Sequence, residues 1–192
     1  MKSNKTYQIL LMTFFGMFGS ILIGFIIYNT SIFVPTRTNF QFVACGLFGA
    51  LFFSLLEYKS VREQIYGIVI MLVVNLIVFT GKSLSIGFII RDVFFLGGLF
   101  FSIKLYYQFI SRNPKVKYYL RSFALALIYG LLNIVCGSIV FIINSEWNLP
   151  PTSFIYLIAK YGVLIGFGIG LGIDFYYQNK DHITSLLKIK TA

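Results

Sequence analysis

The chain is short of almost everything from which polar chemistry is built. It has one histidine, two cysteines and six acids among 192 residues, and only 11% of its residues are charged. With His182 as the single imidazole, and with Cys45 and Cys136 far apart and outside any Cys-x-x-Cys, neither a zinc site nor a disulfide framework has a ligand set. Both cysteines fall within apolar segments and read as packing residues. There is no His-Glu-x-x-His, no Gly-x-Ser-x-Gly and no group of acids at metal spacing. Metal-dependent proteolysis within a membrane and ester hydrolysis therefore have no visible machinery. Gly81-Lys82-Ser83 matches the end of a phosphate-binding loop, but Leu76 stands where that loop needs its first glycine. No cofactor and no metal are expected, and the chain does not read as an enzyme.

What fills the sequence instead is hydrocarbon. Hydrophobic residues make up 58% of the chain and aromatic residues 19%, with a mean hydropathy of +0.84. That lies outside the range of soluble domains and points to an all-α integral membrane protein. The net charge of +10 does not mark a nucleic-acid binder, because the basic residues lie between apolar stretches and do not cluster on a soluble face. Nucleic acid is not expected as a partner.

A helix needs about 20 apolar residues to cross a bilayer, and six stretches approach this: 8–28, 40–56, 65–80, 85–108, 123–143 and 154–177. The third is short, so it either begins a few residues earlier, near Val61, or lies where the bilayer thins. The first follows Lys2 and Lys5 as a signal peptide would, but it is too long for a signal core and lacks a small-residue cleavage site. It reads as a retained helix. The whole of 1–192 is then one six-helix transmembrane domain, with 178–192 as a short tail. On one side lie Lys2, Lys5, Lys59, Arg62, Lys104, Arg112, Lys115, Lys117, Arg121, Lys180, Lys188 and Lys190. On the other lie only Arg37 and Lys82. The excess predicts both termini on the cytoplasmic side of the cell membrane. Trp147, beside Pro150-Pro151 in an outer connection, suits an interfacial anchor. Asn29-Thr30-Ser31 fits the glycosylation pattern but hugs the membrane edge.

An internal repeat suggests how six helices arose. Gly49–Ser54 reads G-A-L-F-F-S and Gly97–Ser102 reads G-G-L-F-F-S, an offset of 48 residues, with Tyr58 and Tyr106 four residues beyond each. At the same offset Phe18-Gly19 falls on Tyr66-Gly67. Ile65-Tyr66-Gly67 recurs as Ile128-Tyr129-Gly130, and Tyr106-Tyr107-Gln108 as Tyr176-Tyr177-Gln178. Three tandem hairpins related by an axis along the membrane normal would give a pseudo-threefold ring. Chance matches in a chain so rich in Phe, Leu, Ile and Gly are the competing explanation.

Ionisable groups within a membrane are costly and are the default functional candidates. Arg91 and Asp92 in the fourth helix and Lys160 in the sixth lie at similar depth, so Asp92 and Lys160 form a candidate ion pair. The same residues also suit a purely structural tie, or basic side chains reaching for the outer interface. Asp174, near the inner end of the sixth helix, sits at the repeat position of Lys104 and is a candidate partner for it, either as a gate or as an interfacial pair. Asn75 and Asn133 are amides at mid-membrane depth, suited to lining a polar path or to bonding between helices. The sixth helix carries Gly162, Gly166 and Gly170 on one face and Gly168 and Gly172 on another, which predicts two close neighbours. Arg112, Lys115, Lys117 and Arg121 flank Pro114 and could meet anionic lipid headgroups or simply fix topology. Two functions fit: a small transporter, permease subunit or pore with a polar path between the fourth and sixth helices, or a non-catalytic scaffold or anchor subunit of a larger complex. Expected partners are membrane lipids and either a second copy or another membrane protein.

Overall fold

A computed structural model describes residues 2–28, 37–80, 86–113, 115–145 and 148–186. Every regular element among them is helical: α1 (Lys2–Tyr28), α2 (Arg37–Tyr58), α3 (Val61–Thr80), α4 (Ile86–Tyr106), a π-helical turn (Tyr107–Ser111), α5 (Tyr118–Asn144) and α6 (Thr152–Leu186). Four stretches are long and apolar enough to cross a membrane: Lys5–Ile27, Ile89–Ser111, Leu120–Asn144 and Thr152–Ser185. Phe42–Tyr58 is a shorter apolar helix. Gly81–Leu84, Trp147, Asn29-Thr30-Ser31 and the residues beyond Leu186 lie outside the described residues.

Helices overrun the apolar stretches at both ends of the chain. α1 begins at Lys2, and α6 continues nine residues past Tyr177 to Leu186, through positions the sequence reading assigned to a tail. Hydropathy marks where lipid is tolerated, whereas Asn179, Lys180, Asp181 and His182 continue the helix past it, with Asn179 Nδ2 donating to the Phe175 carbonyl at 2.9 Å. α3 starts at Val61, the earlier start that the short third stretch allowed. Its first turn is capped: the Glu63 carboxylate accepts hydrogen bonds from the Ser60 backbone N–H and the Ser60 hydroxyl, both at 3.0 Å. This satisfies donors that a helix start leaves orphaned. These bonds, that of the backbone N–H first, and Lys59 at 3.0 Å hold the exposed Glu63 carboxyl down at about 2.

The packing is unequal. α5 against α6 is the most extensive interface, followed by α1 against α2 and α1 against α6; α4 leans on α5, and α2 touches α4. α3 sits on the outside of the α2–α4 pair with sparse contacts to each. Three equivalent hairpins would pack alike, but among the described residues α3 meets α4 far less closely than α1 meets α2 or α5 meets α6, which does not confirm a threefold repeat. The repeated motifs do meet. Phe52 of α2 and Phe100 of α4 pack with ring centroids 4.9 Å apart and their planes tilted by 48°. Their neighbours are not equivalent, since Phe53 is fully buried and Phe101 exposed, and Gly49 is packed against Ile169 and Leu99 while Gly97 faces open space.

Small residues set the close interfaces. A Cβ on Gly172 would overlap the Phe15 carbonyl oxygen of α1, and one on Gly166 would fall 2.9 Å from the Leu125 carbonyl oxygen of α5. Only glycine allows backbones to approach so nearly, and in lipid that approach replaces the hydrophobic force that drives packing in water. Gly162 and Gly170 also face α5, and Gly168 faces α1. The two glycine faces of α6 are thus consumed by two neighbours within the chain. Polar side chains add cross-links between α1 and α2: the Ser20 hydroxyl donates to the Phe42 carbonyl at 2.9 Å, and the Thr13 and Ser54 hydroxyls lie 3.3 Å apart.

Candidate functional site

The end of the bundle that carries the α2–α3 and α4–α5 connections, its base, gathers tyrosines and two acids between the helix ends. Its centre is Asp174 of α6, only 4% exposed. The Ser122 hydroxyl of α5 donates to Asp174 Oδ2 at 2.6 Å, and the Tyr106 hydroxyl at the end of α4 approaches Oδ1 at 3.5 Å. One carboxylate therefore ties three helices together through hydroxyl donors. Arg121, adjacent to Ser122 on α5, lies near enough for its charge to act on Asp174. Its guanidinium is held by the preceding connection, with Nε donating to the Val116 carbonyl at 2.9 Å and Nη2 to the Asn113 carbonyl at 3.0 Å.

The π-helical turn after α4 explains how two adjacent tyrosines both reach inward. A π turn inserts a residue and rotates the following side chains, and Tyr106 and Tyr107 are both buried. Phe53 of α2 is the apolar hub among them, with ring centroids 5.8 Å from Tyr106, 5.5 Å from Tyr107 and 6.4 Å from Tyr177. At the rim, Arg112 donates to the Tyr107 hydroxyl, lies over its ring at 4.4 Å from the centroid and approaches the Glu57 carboxylate at 3.7 Å. Tyr176 is fully buried beside Phe15, with Tyr58 of α2 close to its hydroxyl.

No protein-family model matches the chain, nor does any curated protein or solved structure it was compared with. The site must therefore be read from its geometry.

The structure distributes the sequence candidates over separate places. Asp174 is paired with Ser122 and Tyr106, whereas Lys104 is exposed on α4. An exposed lysine reaches water more cheaply than it enters a buried junction. Arg91 and Lys160 are half-buried on α4 and α6, and each is engaged with the chain. Asp92 belongs to α4, but its side chain lies outside the described residues. Asn75 is buried on the inner face of α3, also engaged. Asn133 of α5 donates from Nδ2 to the Ile158 carbonyl of α6 at 2.6 Å, leaving its buried Oδ1 without a partner among the described residues. That is an interhelical tie, far from the base. Of the basic connection, Arg112 and Arg121 are spent on partners within the chain, while Lys115 and Lys117 are exposed. Among the described residues no group of His, Cys, Asp and Glu could hold a metal ion. Cys45 and Cys136 are half-buried and form no disulfide among the described residues.

Sequence reasoning found Asp174 but missed Ser122, Tyr58, Glu57 and Phe53. A signal was present for two others: Tyr106-Tyr107-Gln108 and Tyr176-Tyr177-Gln178 stood out as repeat elements, and both tyrosine pairs turn out to face the base. Ser122 carried none, because a lone serine at a helix start is indistinguishable from a topological one until its partner is placed.

Proposed function

We propose that the chain is a small transporter, permease subunit or pore of the cytoplasmic membrane. On this reading all six helices span, both termini are cytoplasmic, and the base is its cytoplasmic mouth. The observation that carries the reading is the carboxylate of Asp174, buried in a helix long enough to cross a membrane and hydrogen-bonded, among the described residues, by hydroxyls from two other helices. Acids inside a membrane usually pair with an opposite charge. A carboxylate at a three-helix junction, with its cation held aside by a loop, suits a gate that opens when the hydroxyl donors move away. Asp174 and Tyr106 lie between α6 and α4, the pair expected to border the path. The function so read requires no chemical conversion and no cofactor. Lys115 and Lys117 would meet anionic lipid headgroups, and no nucleic acid is involved.

Reconstitution in liposomes tests this. Uptake across a panel of small cations, anions and amino acids should appear with the native protein and fall at least tenfold in Asp174→Asn. Intact complexes without uptake of any class, or uptake indifferent to Asp174, would remove the reading.

The second reading is a non-catalytic scaffold or anchor subunit, and α3 favours it. This helix is the least embedded of the six, with Val61, Ile65, Tyr66, Val69, Ile70 and Ile77 exposed. The glycine faces of α6, which could have served a partner, are instead used within the chain. Native mass spectrometry from mild detergent separates the two: a stoichiometric second protein makes this a subunit, and a monomer or homo-oligomer leaves transport.

A further inference from the structure

We infer that Asp174 is an exchangeable proton site, so that the ion coupled to the proposed transport is the proton; this rests on the transport reading above for its role, but not for its existence. The base encloses the carboxylate in a way that suits a proton and little else. Asp174 is 4% exposed, and its oxygens face one hydroxyl each, from Ser122 at 2.6 Å and Tyr106 at 3.5 Å. A bound metal ion needs several oxygen ligands drawn to about 2.0–2.6 Å, and hydroxyl donors turned toward the carboxylate occupy the directions such an ion would use. A proton needs one lone pair and no cavity. The Tyr106 and Ser122 hydroxyls can each reverse from donor to acceptor, so both protonation states of Asp174 can be hydrogen-bonded without moving a helix far.

The charges around Asp174 fit exchange. From α5 comes Arg121, whose guanidinium is bound to loop carbonyls and acts on the carboxylate through space. From α4 come Tyr106 and, on the next turn, Tyr107, which faces Glu57 and Arg112. From α2 come Glu57 and Tyr58, and α6 itself adds Tyr176 and Tyr177. No lysine or arginine donates directly to the carboxylate among the described residues. The step is simple: hydronium at the base yields a proton to Asp174, giving a neutral acid and water, and the reverse releases it. Neutral Asp174 accepts more weakly and donates from its own O–H, so one of the two hydroxyls turns from donor to acceptor and the charge-assisted part of the tie between α4, α5 and α6 is lost.

Difference infrared spectroscopy of the purified protein in nanodiscs, titrated with acid, reads the protonated carboxyl directly. One buried carboxyl band should appear and should be absent in Asp174→Asn. Ser122→Ala should make Asp174 bind its proton about tenfold more tightly, because a donor to the ionised form is lost; Tyr106→Phe should do so by less, since its contact is longer. These two variants keep the question open to refutation should Asp174→Asn fail to fold. A band unaffected by any of the three changes, or an Asp174 that stays ionised throughout, overturns the proposal. Proton flux into dye-loaded vesicles is read separately: titration without flux preserves the proton site and removes the transport reading, and flux lost in Asp174→Asn supports both.

Discussion

α6 and α3 are both strongly apolar helices, yet the bundle treats them oppositely. α6 is gripped on two faces, by α1 at Gly168 and Gly172 and by α5 at Gly162, Gly166 and Gly170. α3 rests on the α2–α4 pair through Met71 and Asn75, which are buried, while most of its other described side chains are exposed or half-buried. The difference lies in small residues. Between helices in lipid, apolarity itself contributes almost nothing, and what draws two helices together is how closely their backbones can pack and what polar bonds they share. α3 has one glycine, Gly67, against the side chain of Leu55, and a Cβ there would meet only that flexible tip. A large apolar helix without small residues is left at the edge.

The comparison can be broken at the α6–α1 contact first. Gly172→Ala should lower stability by about 1–3 kcal/mol, because the added methyl meets the backbone of Phe15, which cannot step aside. Gly97→Ala, on a glycine with nothing nearby, should be neutral or gain up to about 1 kcal/mol from reduced chain entropy. Thermal unfolding in one detergent measures both, and equal losses would mean that α6 is not set by backbone approach. On α3, Met71→Ala should cost about 1–2 kcal/mol, the cavity part of a core truncation without its water-transfer part. Its exposed neighbour Ile70→Ala should stay within about 0.5 kcal/mol. Comparable effects would show that the exposed side of α3 is covered in the folded particle. Asn133→Ala, which removes the bond to the Ile158 carbonyl between α5 and α6, should cost about 0.6 kcal/mol, the usual worth of such a tie in a membrane protein.

The smallest effect belongs to the first turn of α3. Glu63 is held below its ordinary 4.5, at about 2, by the Ser60 backbone N–H, Lys59 and the Ser60 hydroxyl. A depressed carboxyl contributes its stabilisation above the unfolded value and loses it as pH falls through the folded one. The cap should therefore be intact above about 4.5 and weaken on acidification toward about 2. Amide hydrogen exchange at Gln64 and Ile65 should show fraying over that window, and Glu63→Gln should remove the pH dependence. Fraying confined to alkaline pH would contradict the assignment of the cap.

Much of the architecture was legible in the residues. Helix identity followed from apolar length, and the two-neighbour role of α6 followed from its glycine spacing. The start of α3 at Val61 was one of the two readings that the shortness of the third stretch allowed. Helix ends were less legible, because Asn179 to Leu186 continue α6 with only Ile183 and Leu186 apolar in the last turn and Leu187 beyond it. The repeat pointed to equivalent hairpins, but the α3 hairpin lacks the small-residue faces of the other two, so equivalent sequences did not produce equivalent packing. For the site, charge in an apolar segment was a sufficient flag for Asp174, while its neighbours carried no flag of their own.

By itself the sequence determined that this chain is helical and built for lipid, since long apolar runs can satisfy their backbone there only within helices. It also pointed to two close neighbours for α6, within the bundle or in an oligomer, because glycine spacing on a helix fixes which faces can be approached. Only the tertiary structure decided the partner of Asp174. A lysine at the matching repeat position was the electrostatic favourite, but Lys104 points outward, and the π turn and the first turn of α5 bring Tyr106 and Ser122 there instead. Charge in a sequence names a cost; which groups meet it depends on the rotation of each helix about its own axis, and that is settled by the packing of all the others.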